Sequence, residues 1–362
     1  MSLRAVAIAL AERVRLPDAV MRAGIDLRVK QLARQLSAMD VHETRVIAAL
    51  MEAQPIVADA AAPTAWFHAL PEDFFGLMLG PRRKHSSGIY DQPTTTLAAA
   101  EERALQVAAD HAGLADGQRV LDLGCGWGAL SLWLAERFPN AEIVAVSNFP
   151  AHRAFILAEA ARRGLSGVTA LTGDISDFTP EGRFDRVVAI SLFESIANWS
   201  ALFGRIHGWL ERDGILYLET LSHRQRPYQF RHAEGREWVA RHFFAGGTMP
   251  SHGLVRAVDP PFTVEQDWRW NGTHFARTAT DWLANFDAHQ AAIAPLLVAA
   301  YGGAAPLWRR RWRLFLLAAA GLFGSRGGAD WGVSQYRLRP RQGIVGHQVR
   351  QHADKDAGQS EA

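Results

Sequence analysis

Along the middle of the chain, short apolar runs alternate with segments whose apolar residues recur every three to four positions. Val120, Leu121 and Leu123 make one run, Ile143 to Val146 a second, Val168 to Leu171 a third, Phe184 to Ile190 a fourth and Ile215 to Leu218 a fifth. Between them lie helical patterns: Leu130, Leu132, Trp133 and Leu134; Ala151 to Arg163; and Trp199 to Leu210, stopped by Arg212-Asp213-Gly214. Near-continuous apolar strands separated by helices require a parallel sheet covered on both faces. The pattern predicts an α/β fold of the doubly wound kind.

The flanks follow another rhythm. Residues 1 to about 70 read as helical, with Leu27, Leu32 and Leu36, then Val46, Ile47 and Leu50, at helical spacing. Pro55 to Pro63 reads as a linker, and an aromatic helix begins near Trp66, its Phe74 and Phe75 expected to pack rather than to line a pocket. Gly80 to Pro93 is a polar loop, and Thr94 to Ala112 a helix with Leu97, Ala100, Ala104, Leu105 and Ala108 on one face. After the fifth run comes an aromatic-rich insertion, Arg224 to Pro250, of the kind that caps a site and carries specificity. Phe262 to Trp270 alternates as an edge strand, two helices are expected near 278–301 and 306–323, and a last strand over 333–338. The resulting division is a helical extension (1–75), a core (76–223), a cap insertion (224–262), the end of the core sheet with two helices (263–340) and a polar, disordered tail (341–362).

The chemistry gathers where the apolar runs end. The first run meets Asp122-Leu123-Gly124-Cys125-Gly126-Trp127-Gly128. Glycines there admit positive φ and a close ligand, and the following helix offers free N–H groups and a positive dipole end. Asn148, Asp174, Glu194 and Glu219 end the next four runs, at the edge where open α/β sheets bind ligands. Ser147 and Asn148 stand where many nucleotide sites carry an acid for ribose, and Asp174 is placed to accept an adenine amino group. Glu194 has a plainer reading as the cap of a helix starting near Asn198. His223 and His242 read as surface or satisfied core residues before catalysts, and Cys125 as small packing inside the turn.

Composition narrows the partners. Lys and Arg number 39 against 37 Asp and Glu, a net charge of +2, so no nucleic-acid partner is expected; the basic spots 81–84 and 309–313 read as solvated helix faces. The single cysteine fits a reducing cytoplasm. No apolar run approaches the roughly 18 residues a membrane span needs. No metal site is expected. Transient membrane contact and a homodimer are compatible with the pattern.

With these motifs in view, the chain resembles the cyclopropane fatty acid synthase family, and within it the branch of plant coclaurine-type N-methyltransferases. The likeness runs over about residues 10–340 through LPDAVMRAGIDLR, PEDFFGLMLGPRRKHSSGIY, DLGCGWG with VSN, LFESIANW, ARHFFAGGTMPS, WRWNGTHFARTATDWLANFD and WGVSQY. It implies a Rossmann-like class I methyltransferase fold, with a seven-stranded, mostly parallel sheet, and S-adenosyl-L-methionine (SAM) as cofactor. Ser86 and the Gly124/Gly126 turn would hold its methionyl end, Ser147 and Asn148 the ribose, with His152 where a glutamine is usual, and Asp174 with Ile175 the adenine; Asp122 and His152 count among the cofactor-binding residues. Glu194 falls on the glutamate of the family's FEH motif, next to substrate. Ser87, Ser195, Phe243, Phe244, Phe275 and Trp331 would line the acceptor pocket.

Departures from the family decide the expected reaction. A bicarbonate base in cyclopropane synthases is implied at positions that here read Ser87, Glu194, Glu219 and Phe275. Two carboxylates facing an anion oppose its binding by several kcal/mol. An acidic pocket suits an amine, whose neutral form at pH 7 costs roughly 4.6 kcal/mol for a pKa of about 10.4. Glu194 would accept the amine's proton, alone or with Glu219 or His223, once desolvation has brought the two pKa values together. The expected function is SAM-dependent methylation of a small hydrophobic amine. The alternatives are a lipid-modifying methyltransferase acting on unsaturated acyl chains, and a SAM-binding protein without transfer.

Overall fold

A computed structural model describes residues 11–14, 16–39, 43–57, 70–230, 238–244 and 246–341. The expected start of the aromatic helix near Trp66 and the expected disordered tail lie outside these residues.

Helices α1 (Asp18–Ser37), α2 (Glu43–Glu52) and α3 (Glu72–Met78) precede the sheet. Phe74 and Phe75 of α3 are buried, as expected of packing residues. Helix α4 (Leu97–Ala112) starts where the Thr96 hydroxyl accepts the Ala99 N–H and ends at Gly113 in the left-handed region. Strand β1 (Arg119–Leu123), helix α5 (Ala129–Arg137), β2 (Glu142–Ser147), α6 (Pro150–Arg163) and β3 (Val168–Thr172) follow, then β4 (Phe184–Ile190), α7 (Trp199–Trp209) and β5 (Leu210–His223). Arg212-Asp213-Gly214 does not separate helix from strand. The helix ends at Trp209, and these residues form an irregularity inside a longer β5, which shifts register against β4 between Phe184 and Arg186.

In the insertion, β6 (Tyr228–Gln229) pairs antiparallel with β7 (Thr248–Met249), and α8 (Trp238–His242) lies between them in sequence. Helix α9 (Leu254–Ala257) leads to β8 (Phe262–Asn271). Three helices then replace the expected two: α10 (Gly272–Ala288), α11 (Gln290–Tyr301) and α12 (Ala305–Gly324). The Asn271 side chain caps α10 at the Thr273 N–H, nearly two turns earlier than the apolar pattern suggested. Strand β9 (Trp331–Pro340) closes the set.

The strand order is β3-β2-β1-β4-β5-β9-β8, with β1 to β5 parallel and β9 antiparallel to both neighbours. Order reverses at β1, so the loops after β1 and β4 splay apart and leave a crevice at their carboxyl ends. One apolar cluster fills the sheet's β4–β5 side with Phe193, Trp199, Phe203 and Tyr336; another joins α1, α3, α10 and α12 through Phe74, Trp282, Trp312 and Leu316. Residues 290–328 are long and apolar enough to cross a membrane by composition. Here they are two helices broken at Gly302–Ala304, with Arg309, Arg310, Arg311 and Arg313 near the second start and Trp312, Leu316 and Phe323 buried against the protein.

Candidate active site

The glycine turn is shaped as its sequence predicts. Gly124, Gly126 and Gly128 have φ of +77°, +53° and +75°. The N–H groups of Gly124 and Cys125 donate to the Val146 carbonyl at 2.9 and 3.0 Å, tying the turn to β2. A side chain at Gly128 would meet Ile156 at 2.6 Å, whereas one at Gly126 would meet nothing within 4 Å. That opening belongs to a cavity of about 140 Å³ lined by Ser86, Asp122, Gly124, Gly126, Trp127 and Ser191, among others. Ser86, Asp122 and the two glycines thus come together as expected.

Asp122 is buried, and burial pushes its pKa up to about 6 against the hydrogen bonds of Ser131, whose hydroxyl donates at 2.6 Å. Ser147 and His152 do not line that cavity, though His152 packs on its wall at Trp127. The Ser147 hydroxyl and His152 Nδ1 are 2.8 Å apart, and the His152 ring lies edge-on to Trp127 at 4.4 Å. Asn148 is exposed at the end of β2. Asp174 accepts the Ser176 N–H at 2.8 Å, closing the turn after β3, and the Ile175 carbonyl is held by Arg205 at 3.0 Å. Cys125 has its thiol pushed up by burial, which fits packing rather than reactivity.

The carboxylates part company. Glu194 sits in a short 3-10 turn, Phe193–Ser195, after β4. It caps no helix: Asn198 caps α7 by accepting the Ala201 N–H at 2.9 Å. Glu194 Oε1 instead accepts the Leu221 N–H at 2.6 Å from β5. Burial raises its pKa to about 7, with Glu219 adding to the rise and the Leu221 N–H opposing it. Glu219 has other company: Tyr217 donates to Oε2 at 3.1 Å, Gln335 donates to Oε2 at 3.0 Å, and Lys84 Nζ lies 3.5 Å from Oε1.

His223 does not fit the base expected of it. Its Nδ1 accepts the N–H groups of Gln225 and Arg226 at 3.2 and 2.8 Å, so its proton sits on Nε2 and no lone pair remains. Burial lowers its pKa to about 4. It is the cap of a turn. His242 is likewise a satisfied buried residue, 3.5 Å from Glu12 and packed on Trp238.

The expected acceptor-side residues divide by exposure. Phe243 stacks on Phe315 at 4.2 Å, Phe275 packs edge-on to Phe323 at 4.7 Å, and Trp331 is fully buried, its indole N–H donating to the Tyr228 hydroxyl at 3.2 Å. These three are framework of the wall. Ser87 is buried with its hydroxyl on the Gly88 carbonyl. Phe244, half-buried against Phe230, and Ser195, exposed with its hydroxyl on the Leu192 carbonyl, are the two that keep accessible surface. The cap reaches Glu194 directly: a Cβ at Gly247 would stand 2.9 Å from the Glu194 carbonyl oxygen.

Sequence reasoning missed two groups. The basic spot 81–84 lies in the expected Gly80–Pro93 loop but is not solvated. Lys84 is 2% exposed, Arg83 lies over Phe155 at 4.1 Å with positive φ, and Arg82 bonds Glu102 and Glu136. The second basic spot is equally committed, with Arg311 on Glu12 and Arg313 on Asp18 and Asp287. Ser191 is the other omission, a non-glycine at φ +52° whose N–H donates to the Glu219 carbonyl at 2.8 Å. Strain stored at a strand end beside a cavity is a functional signal no composition carries.

With this geometry established, comparison with known proteins is informative. The family model of mycolic acid cyclopropane synthetase matches residues 62–328. (S)-coclaurine N-methyltransferase from Thalictrum flavum subsp. glaucum is 33% identical over 76% of this chain and 77% of its own length. Cyclopropane-fatty-acyl-phospholipid synthase from Escherichia coli is 27% identical over 73% of this chain and 65% of its own. A crystal structure of coclaurine N-methyltransferase bound to N-methylheliamine and SAH superposes with a TM-score of 0.85 at 26% identity, covering 92% of this chain and 98% of that one. The expected class I methyltransferase fold, with its seven-stranded sheet, is the fold observed.

Proposed function

Since the chain belongs to the mycolic acid cyclopropane synthetase family and is a SAM-dependent methyltransferase, we propose that it methylates the nitrogen of a small hydrophobic amine, with Glu194 as the base. The observation that carries this reading is the Glu194 carboxyl, buried, anchored through one oxygen and raised to about 7. A carboxylate at its ordinary 4.5 is too weak to take a proton from an amine near neutrality; one near 7 closes much of that gap. The relatives named for amine N-methylation support the same acceptor.

SAM would supply a methyl group on a sulfonium. The cavity fits its amino-acid end, since the positive-φ glycines let the main chain approach and Ser86 presents a hydroxyl there. Asp174 and Ile175 would take the adenine, and Ser147 and Asn148 the ribose, with His152 fixing the Ser147 hydroxyl. The helices of 1–75 and the 224–262 insertion would cover the acceptor, and the Gly247–Glu194 contact supports that role for the insertion. Transfer is in-line displacement, so positioning supplies most of the rate.

Incubating the full chain with labelled SAM and a panel of benzylic and secondary amines tests the reading. Methylated amine from the wild type and its loss in E194Q are expected. Undiminished turnover in E194Q removes Glu194 from the mechanism, and transfer to unsaturated phospholipid with none to any amine replaces the amine reading with the lipid one.

A further inference from the structure

We propose that Lys84 is a positioning residue for the cofactor and that Glu219 is its counter-charge rather than a base in the transfer. This rests on the reading that Ser86 meets the methionyl end of SAM. Lys84 lies on the loop between α3 and α4 and lines the cavity below the glycine turn. Its ammonium donates to the Ser86 hydroxyl and, at 2.8 Å, to the Ser87 carbonyl. With Lys84 donating, the Ser86 oxygen accepts, and its own hydrogen is left to point elsewhere as a donor. An anionic carboxylate on a ligand is the partner such a donor suits.

A buried ammonium needs opposite charge; Glu219 is the nearest carboxylate, and Glu101, raised to about 7 by burial, adds only part of a charge near neutrality. Glu219 stands 3.5 Å away, and Glu101, buried under the Gly80 turn and accepting the Arg82 N–H at 2.9 Å, faces Lys84 from α4. Glu219 is itself fixed on its other oxygen by Tyr217 and Gln335. Because an ionised carboxylate only accepts, the Gln335 amide must turn its Nε2 to Glu219 and its oxygen to His111 Nδ1 at 2.8 Å, which therefore carries a proton. Hydrogen bonds thus run from His111, stacked on Trp268 at 3.7 Å, through Gln335 to Glu219, an ion pair links Glu219 to Lys84, and a further hydrogen bond links Lys84 to Ser86. With Oε2 holding two donors and Oε1 paired with an ammonium 3.5 Å away, a proton taken up by Glu219 would leave Lys84 buried without its nearest counter-charge.

Calorimetric titration of the purified full chain with SAH, alongside thermal unfolding, gives the affinities without an acceptor, and initial rates on an amine that the panel above identifies give KM and kcat. K84M is expected to weaken SAH binding about 10- to 100-fold, the loss of a charge-assisted hydrogen bond. E219Q is expected to weaken it in the same direction while raising the KM for SAM more than it lowers kcat. In K84M/E219Q neither charge is buried alone, so unfolding temperature recovers toward wild type while SAH affinity stays as weak as in K84M. That split separates positioning from a merely structural role, and it stands if K84M alone fails to fold. Wild-type SAH affinity in the double variant overturns the inference, as does wild-type affinity in E219Q with turnover lost. S86A distinguishes the two readings: unchanged affinity there sinks the assignment of Ser86, whereas weakened affinity there with wild-type affinity in the double variant sinks only the role of Lys84.

Discussion

Glu194 Oε1 accepts the Leu221 N–H at 2.6 Å, while its Oε2, enclosed near the Thr220 hydroxyl, has no hydrogen-bond partner of normal geometry. One oxygen is therefore a fixed hinge and the other is open for a proton. The same burial that makes the group a useful base makes its charge costly.

That cost gives a pH signature in stability as well as in rate. The folded chain holds the Glu194 proton up to about 7, the unfolded chain only to the ordinary 4.5, so this group lowers stability as pH rises between those values. E194Q, which keeps the acceptor for Leu221, is expected to raise the unfolding free energy at pH 8 by on the order of 3 kcal/mol and to change little at pH 4. Amine methylation in the wild type should rise through about pH 7 and fall by about 10²- to 10⁴-fold in E194Q. Denaturant unfolding at the two pH values checks the first, initial rates the second; equal stability gains at both pH values would remove the charge argument.

His223 offers the opposite case. H223N keeps an acceptor for the Gln225 and Arg226 N–H groups and is expected to retain turnover, whereas H223F leaves two donors unpaired and should cost about 1–3 kcal/mol. Loss of activity in H223N with an unchanged unfolding curve would return His223 to the chemistry.

Gly247 couples the cap to the base. In G247A the added methyl stands 2.9 Å from the Glu194 carbonyl oxygen, so the 3-10 turn or the β6–β7 ribbon must shift. Calorimetry and kinetics together should show unchanged SAH affinity with a lower kcat and a higher KM for the acceptor, on the order of tenfold for a displacement of a few tenths of an ångström to an ångström.

Two glycines of the same turn should fail differently. G128A forces Cβ within 2.6 Å of Ile156 as well as a strained φ, so its unfolding temperature falls. G126A carries only backbone strain, about 1–2 kcal/mol. It is expected to stay folded and to lose SAH affinity, because its open side faces the cavity. Wild-type SAH binding in G126A would place the cofactor elsewhere.

The order of strands and helices was legible because apolar period reports local geometry: continuous runs became β1 to β5, and DLGCGWG became the turn. Strand ends also identified Asp122, Asn148, Asp174, Glu194 and Glu219 as one edge, since a parallel sheet aligns its carboxyl ends. Sequence could not say which of those acids is free, because that depends on partners far along the chain. Lys84 and Gln335 reach Glu219 from 135 residues before and 116 after it, and the Leu221 N–H meets Glu194 only because β5 lies beside β4. For the same reason PRRK looked like a solvated spot and His223 like a base. Charge and type are written in the residue; burial and hydrogen-bond direction are set by what tertiary packing places against it.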